Sequence, residues 1–159
     1  MATPDFITTL RESAGHQLLW LPGVTAVVFD DTGRVLLNRR SDNRKWSLIG
    51  GIPEPGEQPA ACAVREVEEE TAVRCVAERV VLVQALSPVR YDNGDVCQYM
   101  DITFRCRALG GEARVNDDES LDVGWFAVDA LPDLDEFGVL RIKQAMAEAP
   151  TWFDPMTAL

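Results

Sequence analysis

The chain has 159 residues, 47% apolar and 26% charged, the size and composition of one globular domain whose core needs no disulfide staples. Its 26 acidic against 15 basic residues give a formal charge of −11, which argues against a nucleic-acid polymer or an anionic membrane surface as the main partner. Four cysteines with no CxxC pair, and His16 as the one histidine, leave almost no room for zinc fingers, Cys–His nucleophiles or Ser–His–Asp triads.

No repeat, low-complexity tract or dividing linker interrupts the sequence, so 1–159 is read as one domain. The opening stretch has neither a basic nor an apolar region, and no apolar run nears ~18 residues, so no targeting or membrane segment is expected. With irregular cysteine spacing, a cytoplasmic protein with reduced thiols is the default. Residues 3–14 predict a helix, with Thr3 as N-cap, Pro4 in the first turn, a stripe of Phe6, Ile7, Leu10 and Ala14, and Gly15 as the stop. This helix and its connection (1–21), with Leu18, Leu19, Trp20 and Leu21, would cap the domain or pack on a second subunit, making a homodimer an open expectation.

Residues 23–30 and 34–40 predict two strands around the turn Asp31-Thr32-Gly33. A Gly/Pro-rich loop at 49–59 leads into a helical pattern at 59–71. Two β-rich stretches follow, 75–87 and 96–108, joined by a loop with Asp92-Asn93-Gly94. After the acidic loop 116–120 come a short strand at 123–128 and a helix near 135–148 with Val139, Ile142 and Met146 on one face. The interleaving predicts an α/β (α+β) fold, a mixed sheet with helices on its faces.

The chemistry concentrates in 50–73, GGIPEPGEQPAACAVREVEEETAV. Pro59 helps start the helix, and Ala60, Ala63, Val64 and Val67 recur at i, i+3, i+4 and i+7 as a buried face. Glu66 and Glu70 then lie one turn apart with Glu69 beside them, while Glu68 turns away. A solvated acidic face fits this poorly. A like-charged i, i+4 pair costs about 0.2–0.5 kcal/mol, and anions in the last turn oppose the helix dipole by about 0.3–1 kcal/mol each. Arg65 relieves Glu69 at i+4. A divalent cation would reverse the sign of the cluster, and oxygen ligands without His or Cys select Mg²⁺ or Mn²⁺.

Gly51, Glu57, the run Arg65-Glu66-Val67-Glu68-Glu69-Glu70 and Val73, at these spacings, resemble the Nudix box of the Nudix hydrolases, here residues 51–73. Two positions depart from that pattern: Ala72 replaces the usual Gly at the helix stop, and Ile49 a Pro ahead of the double glycine. The resemblance implies the family's α-β-α sandwich and cleavage of a nucleoside diphosphate linked to another group by attack of water on phosphorus. It implies Glu66 and Glu70 as principal metal ligands, Glu69 as an additional or water-bridged ligand with a catalytic role, and the Gly50 carbonyl as a further oxygen ligand. Arg65 and Glu57 match the pair that braces helix and loop. The loop 116–120 resembles a region where such enzymes supply one more carboxylate, here Glu119 as general base, with Asp118 next.

Outside the box, Arg39 or Arg40 is placed to reach a phosphate or to form a surface ion pair. Trp46 either stacks on a base or packs in the core. Gln98 and Tyr99 lie in a strand whose alternate residues could line a cleft. His16 reads as a structural or surface residue, and the cysteines as buried apolar groups. Pro88, fifteen residues beyond Val73, resembles a marker of the ADP-ribose pyrophosphatase branch, whose members split ADP-ribose into AMP and ribose 5-phosphate; it would equally end a strand. The short chain also suits a pyrophosphohydrolase of oxidised nucleoside triphosphates. A rival from another class is a non-catalytic nucleotide-sensing domain, which has little need for the full ligand set.

Overall fold

A computed structural model of the chain describes residues 4–155. The order is α1 (Asp5–Ala14), β1 (Leu19–Phe29), β2 (Val35–Arg40), β3 (Trp46–Ser47), β4 (Ile49–Gly51), α2 (Pro59–Thr71), β5 (Arg74–Ala85), β6 (Val89–Arg90), β7 (Val96–Gly110), β8 (Ser120–Phe126) and α3 (Glu136–Met146). The strands form one mixed sheet with the path β3-β2-β1-β7-β5, while β4 pairs with β1, β6 with β7 and β8 with β2. Its spine is the parallel pair β1–β7, in register from Leu19↔Cys97 to Phe29↔Arg107. The alternation of β1 then sends Val24, Ala26 and Val28 to one face and Val27 and Phe29 to the other. On the first face they pack with Leu36, Ile49, Cys62, Ala63 and Val67 beneath α2. On the second they pack with Leu37, Val81, Leu82, Ile142 and Ala145 beneath α3. This is the expected α-β-α sandwich, and each fully buried Leu, Ile or Val contributes about 1.5–3 kcal/mol.

Several elements differ from the sequence reading. The helix α1 has Pro4 at its N-cap position, and Thr3 lies outside the described residues. The turn after β1 forms as expected, with Asp30 accepting from the Thr32 and Arg34 amides at 2.9 Å. Yet β1 and β2 then diverge after the single pair Phe29↔Val35, because β4 takes the edge of β1 at Val24–Ala26. β1 also begins at Leu19, earlier than expected. Pro22, which cannot donate to a ladder, lies on the stretch of β1 that β4 does not cover. In α3 the buried positions are Gly138, Arg141, Ile142 and Ala145, and Met146 is exposed. The face is turned because Arg141, which reads as an outward residue, donates at 3.1 Å to Asp101 and to Thr103 of β7.

Candidate functional site

The bounds of α2 match its sequence pattern, and its polar edge meets the sheet at β4. Glu66 and Glu70 are each only 5% exposed, whereas Glu68 and Glu69 are exposed. Glycine permits this burial: a Cβ on Gly51 would overlap the Glu66 carboxyl group, and one on Gly50 would stand 2.8 Å from the Val24 carbonyl oxygen.

Arg65 is the hub of the box. Its Nε and Nη2 donate to the two Glu57 oxygens at 2.9 and 3.0 Å, the forked geometry that suits guanidinium and carboxylate. Its Nη1 donates to Glu66 Oε1 at 3.0 Å and Glu69 Oε2 at 2.9 Å. The Arg65 bond pulls the Glu57 carboxyl down to about 2. Burial pushes Glu66 upward in spite of Arg65. Burial, then the charges of Glu66 and Asp117, push Glu70 up to about 8.

Glu70 is held from the opposite side by β2. Asn38 Nδ2 donates to Glu70 Oε2 at 2.6 Å and to Ser120 Oγ at 3.1 Å. Asn38 Oδ1 is buried with no hydrogen-bond partner among the described residues. Such an acceptor costs about 1–3 kcal/mol.

The C-terminus of α2 is fixed by the segment that leads into the acidic loop. Ala72 takes the left-handed conformation (φ 59°) that a glycine would adopt more easily, at a cost of about 1 kcal/mol. Asn116 Nδ2 donates to the Glu68 and Glu69 carbonyls at 3.2 and 3.0 Å, and its backbone N–H donates to the Glu70 carbonyl at 3.2 Å. These bonds satisfy helix-end carbonyls that otherwise lack partners.

Loop and helix enclose a cavity of about 1110 Å³, near the upper end of ligand pockets. Glu57, Arg65, Glu66 and Glu69 line it from the box, Asp117, Asp118 and Glu119 from the acidic loop, and Pro4, Asp5 and Phe6 from α1. Glu119, the candidate base in this loop, is among the lining residues. Asp117 was not singled out by the sequence, although its charge acts on Glu70 and burial raises its own carboxyl.

The other sequence candidates lie elsewhere. Trp46 does not line this cavity; it packs edge-to-face on Phe126, ring centroids 4.7 Å apart, beside the core under α3. Tyr99 packs against the Ile7–Leu21–Cys97 cluster under α1, with its hydroxyl 2.8 Å from that of Tyr91. Arg40 lies near enough for Glu70 to raise it, but its guanidinium is paired with Asp42 at 2.9 and 2.6 Å. Arg39 donates to the Arg44 carbonyl. His16 bonds Asp95 at 2.9 Å, and all four cysteines are buried and free. Pro88 lies in the connection between β5 and β6.

The sequence pattern groups Glu66, Glu69 and Glu70 on one edge of α2 as a ligand set. Among the described residues, no three carboxylate, thiol or imidazole groups stand close enough together to hold an ion. Arg65 ties Glu66 and Glu69, and Asn38 ties Glu70, each donor holding one oxygen of its carboxylate. The donor chemistry nevertheless fits a hard divalent cation: oxygen ligands throughout, buried on Glu66 and Glu70, beside two glycines whose lack of a side chain lets the Glu66 carboxyl group and the Val24 backbone close in.

Asn38, Asn116 and Asp117 were legible only in part. Asn38 shares the inward face of Leu36 on β2, and a polar residue on an inward face signals a buried partner. Nothing local names Glu70, 32 residues away, as that partner.

The sequence matches the NUDIX domain over residues 19–148. It is 36% identical over 124 residues to a MutT-like protein of Streptomyces ambofaciens, covering 77% of this chain and 75% of that relative. Over 89 residues, 56% of this chain, it is 35% identical to the NAD-capped RNA hydrolase NudC of Pseudomonas putida, of whose length it spans 29%. It superposes on an ADP-ribose pyrophosphatase from Streptococcus suis with a TM-score of 0.62 at 26% identity, covering 81% of this chain and 94% of that one. The match takes in the box, the acidic loop and both helices that sandwich the sheet, and the chain belongs to the Nudix family, hydrolases of pyrophosphate bonds.

Proposed function

We propose that the protein is a divalent-cation-dependent pyrophosphohydrolase of a small nucleotide, with ADP-ribose or a nucleoside diphosphate sugar as the favoured substrate. The observation that carries this reading is the convergence of Glu57, Glu66 and Glu69 of the box with the acidic loop on one cavity, while Glu70 is tied to the end of that loop through Asn38 and Ser120. Glu66, Glu69, Glu70 and the Gly50 carbonyl would hold the cation, Mg²⁺ or Mn²⁺ by their oxygen chemistry. The bound cation supplies neutralisation of the diphosphate and activation of the attacking water.

This chain's residues do the rest. Glu57 and Arg65 hold the box loop against α2, so the glycine carbonyl and the helix carboxylates keep one geometry. Glu119 takes the proton of the attacking water, with Asp117 beside it as a second acid facing Glu70. Displacement is in line and electrostatic in origin. The net charge of −11 favours a small anion held through a cation over a nucleic-acid polymer. The free cysteines favour the cytoplasm, and no helix among the described residues is long and apolar enough to cross a membrane.

Support for the substrate comes from Pro88 and from the likeness to the Streptococcus suis ADP-ribose pyrophosphatase. The likeness to a MutT-like protein keeps a nucleoside triphosphate as the second reading. The test is a hydrolysis screen with and without Mg²⁺ over ADP-ribose, nucleotide sugars, nucleoside triphosphates including 8-oxo-dGTP, dinucleoside polyphosphates and NADH. AMP and ribose 5-phosphate from ADP-ribose are expected. A kcat/KM at least tenfold higher for any triphosphate replaces the first reading with the second.

A further inference from the structure

We propose that Asn38 is a positioning residue for the cation site, fixing the Glu70 carboxylate and tying it to the base of the acidic loop. The inference rests on Glu70 being a ligand, as proposed above. Asn38 is 4% exposed, and both its bonds are donations from the same amide nitrogen, to Glu70 Oε2 and to Ser120 Oγ. Its oxygen is left buried and unpartnered among the described residues. The orientation of the amide is therefore set by its two acceptors. With Glu70 ionised, as a cation ligand would be, the flipped amide would turn its oxygen onto a carboxylate.

The choice of side chain follows from the neighbours. An aspartate at 38 would add a second anion against Glu70. A lysine would bring a positive charge that competes with a divalent cation for the same oxygen. A neutral amide donates without either cost, holding one Glu70 oxygen and leaving the carboxylate's charge to the ion. A donor that bonds a ligating carboxylate without touching the ion orients that carboxylate and raises metal affinity. Ser120 opens β8 directly after Asp117–Glu119, so one amide links the last box carboxylate on α2 to the loop across the cavity. Glu70 and Ser120 lie 32 and 82 residues away in the chain, so the bond is a tertiary device and not a local turn.

The test compares Asn38→Thr with Asn38→Val, side chains of the same shape that suit a strand and differ in one hydroxyl donor. Mn²⁺ affinity is read from the free-ion electron paramagnetic resonance signal. The Val variant is expected to bind Mn²⁺ at least tenfold more weakly than wild type and the Thr variant within threefold of it. The Val variant's kcat should recover as Mn²⁺ is raised, with little change in KM. Mn²⁺ affinity of the Val variant within threefold of wild type overturns the role of Asn38 while leaving the cation site standing. Wild-type protein that binds no Mn²⁺ overturns both. Should the variants fail to fold, the wild-type Asn38 side-chain amide serves. Its proton signals should be slow to exchange in water and stay so when Mg²⁺ is added. Their loss to exchange on Mg²⁺ binding shows that the bond does not hold Glu70 in the loaded site, and ends the proposal.

Discussion

Gly51 and Glu66 share one space: the volume that a Cβ on Gly51 would take is filled by the Glu66 carboxyl group. The glycine is thus required by the carboxylate next to it and not by its own backbone, since no positive φ is recorded at Gly51. Gly51→Ala is expected to push Glu66 from the cavity wall, lowering kcat/KM by at least a hundredfold and removing most of the melting shift given by Mg²⁺. Near wild-type activity with an unchanged Mg²⁺ shift would show that Glu66 does not serve the reaction from this position.

Glu57 tests the brace between loop and helix. Its carboxyl lies at about 2 in the folded protein, against an ordinary value of 4.5, chiefly through Arg65. A lowered native value means stabilisation that is complete above pH 4.5 and lost as the pH falls toward 2. With Arg65 partly exposed, the pair contributes about 1–2 kcal/mol at neutral pH after screening. Glu57→Gln should therefore melt a few degrees lower at pH 7, with the difference from wild type closing between pH 4.5 and 2. Circular-dichroism melts across that range check it, and a constant difference at every pH removes the charge from the explanation.

Glu70 has the opposite sign. Burial, Glu66 and Asp117 raise it to about 8, so the folded, cation-free protein keeps a proton there that the unfolded chain releases near 4.5. Stability should fall as the pH rises from 4.5 through 8. Glu70→Gln should raise the melting temperature of the cation-free protein at pH 9, leave it unchanged below pH 4.5 and abolish most turnover. Mg²⁺ should stabilise the wild type and the variant much less. In the wild type at pH 7, Mg²⁺ binding should release close to one proton, measured by calorimetry in buffers of different ionisation heat. Equal Mg²⁺ shifts in both proteins would sink the ligand assignment.

The elements just used divide by how far their causes reach along the chain. The helix 59–71 keeps its expected bounds because Pro59 and the apolar face lie within it and the positive-φ stop at Ala72 directly follows it. The Glu57–Arg65 pair spans only eight residues and is written in the box. The bonds from Asn38 and Asn116 to the far end of α2 join strands and loops 32 to 48 residues away, and periodicity carries no signal for them. Arg141 shows the same limit: its buried partners, Asp101 and Thr103, are on β7, so the wheel of α3 read from sequence turned its face outward.

The acidic loop offers two carboxylates for one proton transfer. Glu119 lines the cavity, while Asp117 lines it and also bears on Glu70. Glu119→Gln is expected to lower kcat by about 10²–10⁴-fold, the usual worth of a general base, with KM changed by less than threefold. Asp117→Asn should instead change the cation requirement, because it removes a like charge facing Glu70. Kinetics at varied Mg²⁺ separate the two. If Glu119→Gln keeps the wild-type kcat and Asp117→Asn loses it, the base is Asp117.

The last expectation concerns α1, which precedes the family match at 19–148 yet supplies Pro4, Asp5 and Phe6 to the cavity wall. It is clamped along one face, from its first turn to Arg11. Ile7 is buried with Leu21 and Cys97, and Arg11 donates to the Val96 carbonyl at 2.8 Å and pairs with Asp95 at 3.4 Å. The first turn is thereby held at the cavity wall, where Phe6 packs partly against the same cluster and also lines the cavity. Phe6 is too far from the chemistry in kind, an aromatic among carboxylates, to act on the reacting phosphorus. Its contribution is contact made equally in ground and transition states, which appears in KM and not in kcat. Phe6→Ala should raise KM for ADP-ribose three- to tenfold with kcat within twofold. Inorganic polyphosphate, which lacks a nucleoside, should compete equally well against both proteins. A variant that loses kcat at unchanged KM would show that α1 governs the catalytic groups themselves.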